Sequence, residues 1–136
     1  MSVVKALQAA LAREHAAIYG YGVAGAHLDD TERDAVTRDL AEHKAARDRL
    51  ERRIREHDAT PVTAKPAYAL PFTVTGGASA TKLLVRIESG VAGAYLGLVS
   101  AATDDLRRDA AREVRDCAIR QAAWGGTIGA LPGLRR

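Results

Sequence analysis

The chain has 136 residues, enough for one domain with a buried core. Only 4% of them are aromatic, and a formal charge of +3 spread over interleaved acids and bases argues against a nucleic-acid binder. The lone Cys117 rules out an internal disulfide and favours a reduced, cytoplasmic setting; no long apolar run signals a membrane span, and the N-terminus lacks a signal-like segment.

Residues 2–27 are predicted to form a first helix. Val4, Leu7, Leu11, Glu14, Ile18, Tyr21, Gly25 and Leu28 recur at helical spacing, and the stripe is apolar except for one carboxylate. "DDTE" at 29–32 then supplies N-caps for a second helix over 30–57, with the stripe Val36, Leu40, His43, Arg47, Leu50 and Ile54. Pro61 and Pro66 stop it. Residues 58–77 are broken by proline yet carry Tyr68, Leu70, Phe72 and Val74. A solvated linker has no use for those side chains, so the segment is expected to cross the outside of a bundle and pack them down. Ser79 is the expected N-cap of a third helix over 79–102, with the stripe Leu84, Glu88, Val91, Tyr95, Leu98 and Ala102. "TDD" at 103–105 caps a fourth over 105–124, striped by Ala110, Val114, Cys117, Gln121 and Trp124. Gly125 and Gly126 end it, and a tail over 125–136 follows in which Ile128 and Leu131 can dock.

"GVAGA" occurs at 22–26 and again at 90–94, an offset of 68; "DDTERDA" at 29 and "DDLRRDA" at 104 are offset by 75. The difference is one heptad, which keeps the same helix face inward. The chain therefore reads as two similar helical hairpins joined by a long crossover: an all-α four-helix bundle with ferritin-like topology. With "EHAAIYGYGVAG" in the first helix and "YALPFTV" in the crossover, the sequence resembles the actinobacterial ferritin-like domains of unknown function along nearly its whole length.

The stripes carry the chemistry. Glu14 and Glu88 interrupt apolar faces, where a carboxylate is costly without a partner. Di-iron members of the superfamily that the chain resembles place one Glu on each of two helices and Glu-x-x-His on each of the others. Glu14 and Glu88 match the lone glutamates. Thirty-three residues after each stand Arg47 and Gln121, where the second glutamate is expected; "RDRL" and "QAAW" are not Glu-x-x-His. One reading is a metal-free buried polar cluster of Glu14, His43, Arg47, Glu88 and Gln121, with no cofactor. Another is a smaller site for iron or another divalent metal on Glu14, His43 and Glu88, joined by Cys117 or Glu113; Glu113 and Arg120 lie at the edge of the fourth stripe. Tyr21, Tyr95, Cys117 and Trp124 are candidates to line a pocket beside the cluster. No phosphate loop, nucleophile elbow or hydrolytic triad is present. The function classes left are a non-catalytic module that self-associates or binds a partner, a metal-dependent oxidase or iron handler, and a small-molecule binder. Small residues on several helix faces, with Val23, Val85, Leu96 and Val99 outside the main stripes, lead to the expectation of a homodimer.

Overall fold

Ser2 opens the first helix by accepting a hydrogen bond from the Lys5 backbone N–H at 3.1 Å. The computed structural model describes residues 1–125 and forms four helices: α1 Val3–Gly25, α2 Asp30–Glu56, α3 Gly77–Ala101 and α4 Asp104–Ala123. The expected docking of Ile128 and Leu131 lies outside the described residues. Asp29 caps α2 through Glu32 N–H, and Thr103 is the N-cap residue of α4. α3 starts earlier than the sequence suggests. Gly76 is its N-cap, and Ser79 sits one turn inside, its hydroxyl accepting from the Thr75 and Gly76 N–H groups. A serine is as useful three residues into a helix as at its cap when its oxygen can reach back.

Cross-helix contacts set the topology. Glu14 of α1 meets His43 of α2 and Tyr95 of α3, while Tyr21, further along α1, meets Glu88, earlier in α3. α1 is therefore antiparallel to both α2 and α3. Arg53 pairs with Asp109, and Glu42 with Arg120, so α2 and α4 are antiparallel as well. α2 and α3 consequently run the same way, and the chain must travel back the length of α2 between them. That is 27 residues, or about 40 Å at 1.5 Å per residue. The segment 57–76 makes the journey along the outer side of α1. Gln8 bonds Thr60 O and Val62 N–H, His15 Nε2 lies 2.9 Å from Val62 O, and Tyr68 packs on Tyr19. Leu70, Phe72 and Val74 then press against the core beyond.

Two apolar clusters fill the bundle. One holds Leu7, Leu11, Leu50, Ile54, Val91 and Leu98; the other holds Leu28, Val36, Leu83, Leu84 and Trp124. A polar layer lies between them. α3 is long and apolar enough to cross a membrane by length and composition, with a mean hydropathy of 1.3 in its most apolar window, contrary to the expectation of no such run. In the fold it is the helix packed against both α1 and α4, and Glu88 sits buried at its middle.

The two hairpins share a register of 74 residues. Glu14 and Glu88, Tyr21 and Tyr95, the cap residues Asp29 and Thr103, His43 and Cys117, and Ala46 and Arg120 all differ by that number. The repeated pentapeptide, offset by 68, is therefore not a pair of equivalent positions. Its glycines serve different ends. A Cβ on Gly90 would stand 3.1 Å from Arg13 Nη1, whereas Gly22 faces open space.

Candidate functional site: a buried carboxylate, imidazole and guanidinium layer

Each glutamate is held by the tyrosine of the other hairpin. Tyr95 Oη donates to Glu14 Oε2 at 2.7 Å, and Tyr21 Oη donates to Glu88 Oε2. Between the carboxylates lies His43, with Nδ1 2.5 Å from Glu14 Oε1 and Nε2 2.8 Å from Glu88 Oε2. Both ring nitrogens face oxygens that already accept from a phenol or stand ready to accept, so both must carry protons. The remaining oxygen of Glu88 accepts from Arg120 Nε at 3.1 Å. Arg120 also places Nη2 3.5 Å from Cys117 Sγ and Nη1 3.5 Å from Glu42 at the rim. Glu14, His43 and Glu88 have no exposed surface. The carboxyl groups of Glu14 and Glu88 are thus matched by the imidazole of His43 and the guanidinium of Arg120. Among the described residues no buried side-chain nitrogen or oxygen lacks a partner.

The electrostatics follow from that pairing. Burial alone would lower the His43 pKa, but the hydrogen bonds to Glu14 and Glu88 outweigh it and carry it up to about 9. Burial would raise Glu88, yet the hydrogen bond and charge of His43, aided by Arg120, hold it below the ordinary carboxylate range. Burial and the adjacent carboxylates push Tyr21 and Tyr95 far upward, so both phenols remain donors. Burial also drives the Cys117 thiol well up, which makes it a small apolar side chain rather than a nucleophile.

Of the residues singled out by sequence, Glu14, His43 and Glu88 meet. Tyr21 and Tyr95 are members of the network, and Tyr95 also lines a cleft of about 560 Å³ between α2, α3 and α4 with Leu50, Leu98 and Glu113. Trp124 is buried one turn beyond Arg120, its indole N–H donating to the buried Asp39 at 3.0 Å. Arg47 is not in the cluster. It is half-buried and pairs with its neighbour Asp48 at 3.0 Å. Gln121 lies half-buried at the side of α4. The reason is helical phase. From His43 the inward stripe steps by three to Ala46, not by four to Arg47, and from Cys117 it steps by three to Arg120, not by four to Gln121. Sequence reasoning thus sought the internal guanidinium on the wrong helix. Hydropathy could not find Arg120, because arginine scores as surface. The signal available was positional: it stands three residues after the counterpart of His43, on the stripe that faces Glu88.

These residues do not fit a di-iron centre. The inward i, i+3 pairs on α2 and α4 are His43-x-x-Ala46 and Cys117-x-x-Arg120, so neither helix supplies Glu-x-x-His. The imidazole has spent both nitrogens on carboxylates, and a guanidinium occupies the free side of Glu88. Among the described residues no group of three or more His, Cys, Asp or Glu side chains is arranged to hold a metal ion.

The family model described as Domain of unknown function (DUF4439) matches residues 6–136. The fold is similar to the crystal structure of a conserved hypothetical protein, rv2844, from Mycobacterium tuberculosis, with 32% identity, 93% of each chain covered and a TM-score of 0.86. No curated protein matches the sequence.

Proposed function

The chain belongs to the DUF4439 family, and on that premise we propose that it is a metal-free, cytoplasmic ferritin-like module that works by binding rather than by catalysis. The observation that carries the reading is Arg120. Together with His43 it supplies, from the chain itself, the positive charge that a pair of metal ions brings to the glutamates of a di-iron bundle. The order of helices supports the ferritin-like assignment: α1 opposes α2 and α3, and a crossover as long as the bundle joins the halves. The sealed layer supports a non-catalytic role, because a substrate cannot reach groups without exposed surface. The neighbour from Mycobacterium agrees with an actinobacterial origin.

Self-association is one form of this reading. On α3 Gly97 is exposed, and Leu96 and Val99 are half-buried on its outer side, leaving room for a second copy to form a homodimer. The test is elemental analysis of protein purified from iron- and manganese-supplemented cells. The expected result is no stoichiometric metal after gel filtration. Iron, manganese or zinc retained at one or two per chain overturns the proposal. Light scattering of the same sample tests the homodimer, and a monomer mass at high micromolar concentration removes it.

A further inference from the structure

The register of 74 residues gives Arg120 a counterpart, Ala46, and gives the residues around Arg120 counterparts around Ala46. At the Arg120 end, two large side chains fill the space between α2 and α4. Arg120 bonds Glu88 and reaches Glu42 at 3.5 Å, and Trp124, one turn on, donates to Asp39 at 3.0 Å. Both are buried. At the other end their counterparts are Ala46 and Leu50, which are smaller and have no side-chain donor. The cleft of about 560 Å³ opens there, and both residues line it.

The acceptors, by contrast, are kept. Asp116 is the counterpart of Glu42 and Glu113 that of Asp39; both line the cleft, one turn apart on α4. Tyr95, the counterpart of Tyr21, lines it too and donates to Glu14, the counterpart of Glu88. One end of the bundle thus holds carboxylates with a guanidinium and an indole; the other holds carboxylates with open space. The lining arginines and carboxylates of the cleft are equal in number, so charge by itself names no ligand, whereas the filled counterpart does. The chain's own cations reach these acceptors from outside. Arg49, 52% exposed, pairs with Glu113 at 2.9 Å, and Asp116 meets its neighbour Arg115 at 3.4 Å. Burial raises the Glu113 carboxyl above the ordinary range even with Arg49 in place, and Glu14 adds to the rise, so the spot favours further positive charge.

We propose that this cleft binds a small organic cation with a flat apolar body and a guanidinium head, the head on Glu113 and Asp116 and the body over Leu50 and Leu98. The bound molecule supplies what Arg120 and Trp124 supply at the opposite end. The proposal rests on the reading of the protein as a binding module and names what that module binds.

The test is titration calorimetry of the full chain with benzylguanidinium, and with benzylurea as its neutral isostere. One saturable site is expected for the cation, with benzylurea weaker by about tenfold or more, the worth of a charge-assisted contact. Glu113→Gln and Arg49→Met break the same ion pair and should act in opposite directions. The first removes an acceptor and weakens binding about tenfold; the second removes a competitor and strengthens it about threefold, the worth of an exposed pair. A purely structural role for the pair moves both variants the same way and overturns the proposal. Ala46→Arg plants a counterpart of Arg120 in the cleft and should abolish binding; a folded Ala46→Arg protein that still binds overturns the proposal, and the Glu113→Gln and Arg49→Met comparison decides the matter even where that variant fails to fold. Equal affinity for benzylurea, or no saturable binding of benzylguanidinium, overturns it as well. Metal content measured on the same sample keeps the two readings apart: metal-free protein that ignores benzylguanidinium refutes the cleft proposal alone, and metal-loaded protein that binds it refutes the metal-free core alone.

Discussion

Arg120→Ala is the perturbation that reports most directly on the buried layer. Arg120 is 6% exposed and Glu88 is fully buried, so truncation leaves a carboxylate in the core with one cation fewer. Breaking one partner from a buried pair costs about 3–5 kcal/mol, against a total stability of about 5–15 kcal/mol for a domain. At an unfolding entropy of about 2.1 cal/mol/K per residue, the loss lowers the melting temperature of a chain this size by about 10 °C or more. Thermal and urea unfolding followed by circular dichroism measure it. Arg47→Ala is the control. Its side chain is half-buried, pairs among the described residues with the adjacent Asp48, and its loss should change stability by less than about 0.5 kcal/mol. The double variant Glu88→Gln/Arg120→Met, which removes both charges, should recover much of the loss, since a buried pair is costlier to break than to replace. An Arg120→Ala protein that melts within 2 °C of the parent would refute the reasoning, and so would an Arg47→Ala protein that falls as far as Arg120→Ala should.

The layer also sets a pH dependence. His43 rises on folding from 6.5 to about 9, so its contribution is complete below pH 6.5 and is lost as pH climbs through 9. Glu88 is lowered, so its contribution holds above its unfolded value of 4.5 and fades as pH falls below it. Urea midpoints should therefore be highest between about pH 4.5 and 6.5 and decline toward pH 9; a midpoint that does not move over pH 6.5–9 refutes the doubly bonded imidazolium. Trp124→Phe removes the indole donor from the buried Asp39 and should cost about 1–3 kcal/mol in chemical denaturation, with no cost if water already serves that carboxylate. Gly22→Ala and Gly97→Ala meet no neighbouring atom and should each raise stability by up to about 1 kcal/mol; a loss in either variant shows that the helix face is occupied.

The sequence by itself determined the four helices, the crossover and the presence of buried carboxylates. Helical spacing, the caps at Asp29 and Thr103 and the prolines after α2 act locally, and local signals survive in a one-dimensional string. The apolar crossover residues were legible for the same reason, because Leu70, Phe72 and Val74 have no purpose in solvent. The internal register was not legible. The repeated pentapeptide and the repeated capping run suggested offsets of 68 and 75, while Glu14–Glu88, Tyr21–Tyr95 and His43–Cys117 share 74. Only packing distinguishes a repeat of composition from a repeat of position. The cation beside Glu88 was likewise decided by tertiary structure. A helix advances 3.6 residues per turn, so three and four residues onward both lie near the inward face. Which of Arg120 and Gln121 turns in depends on where α3 places Glu88, a fact held by another helix.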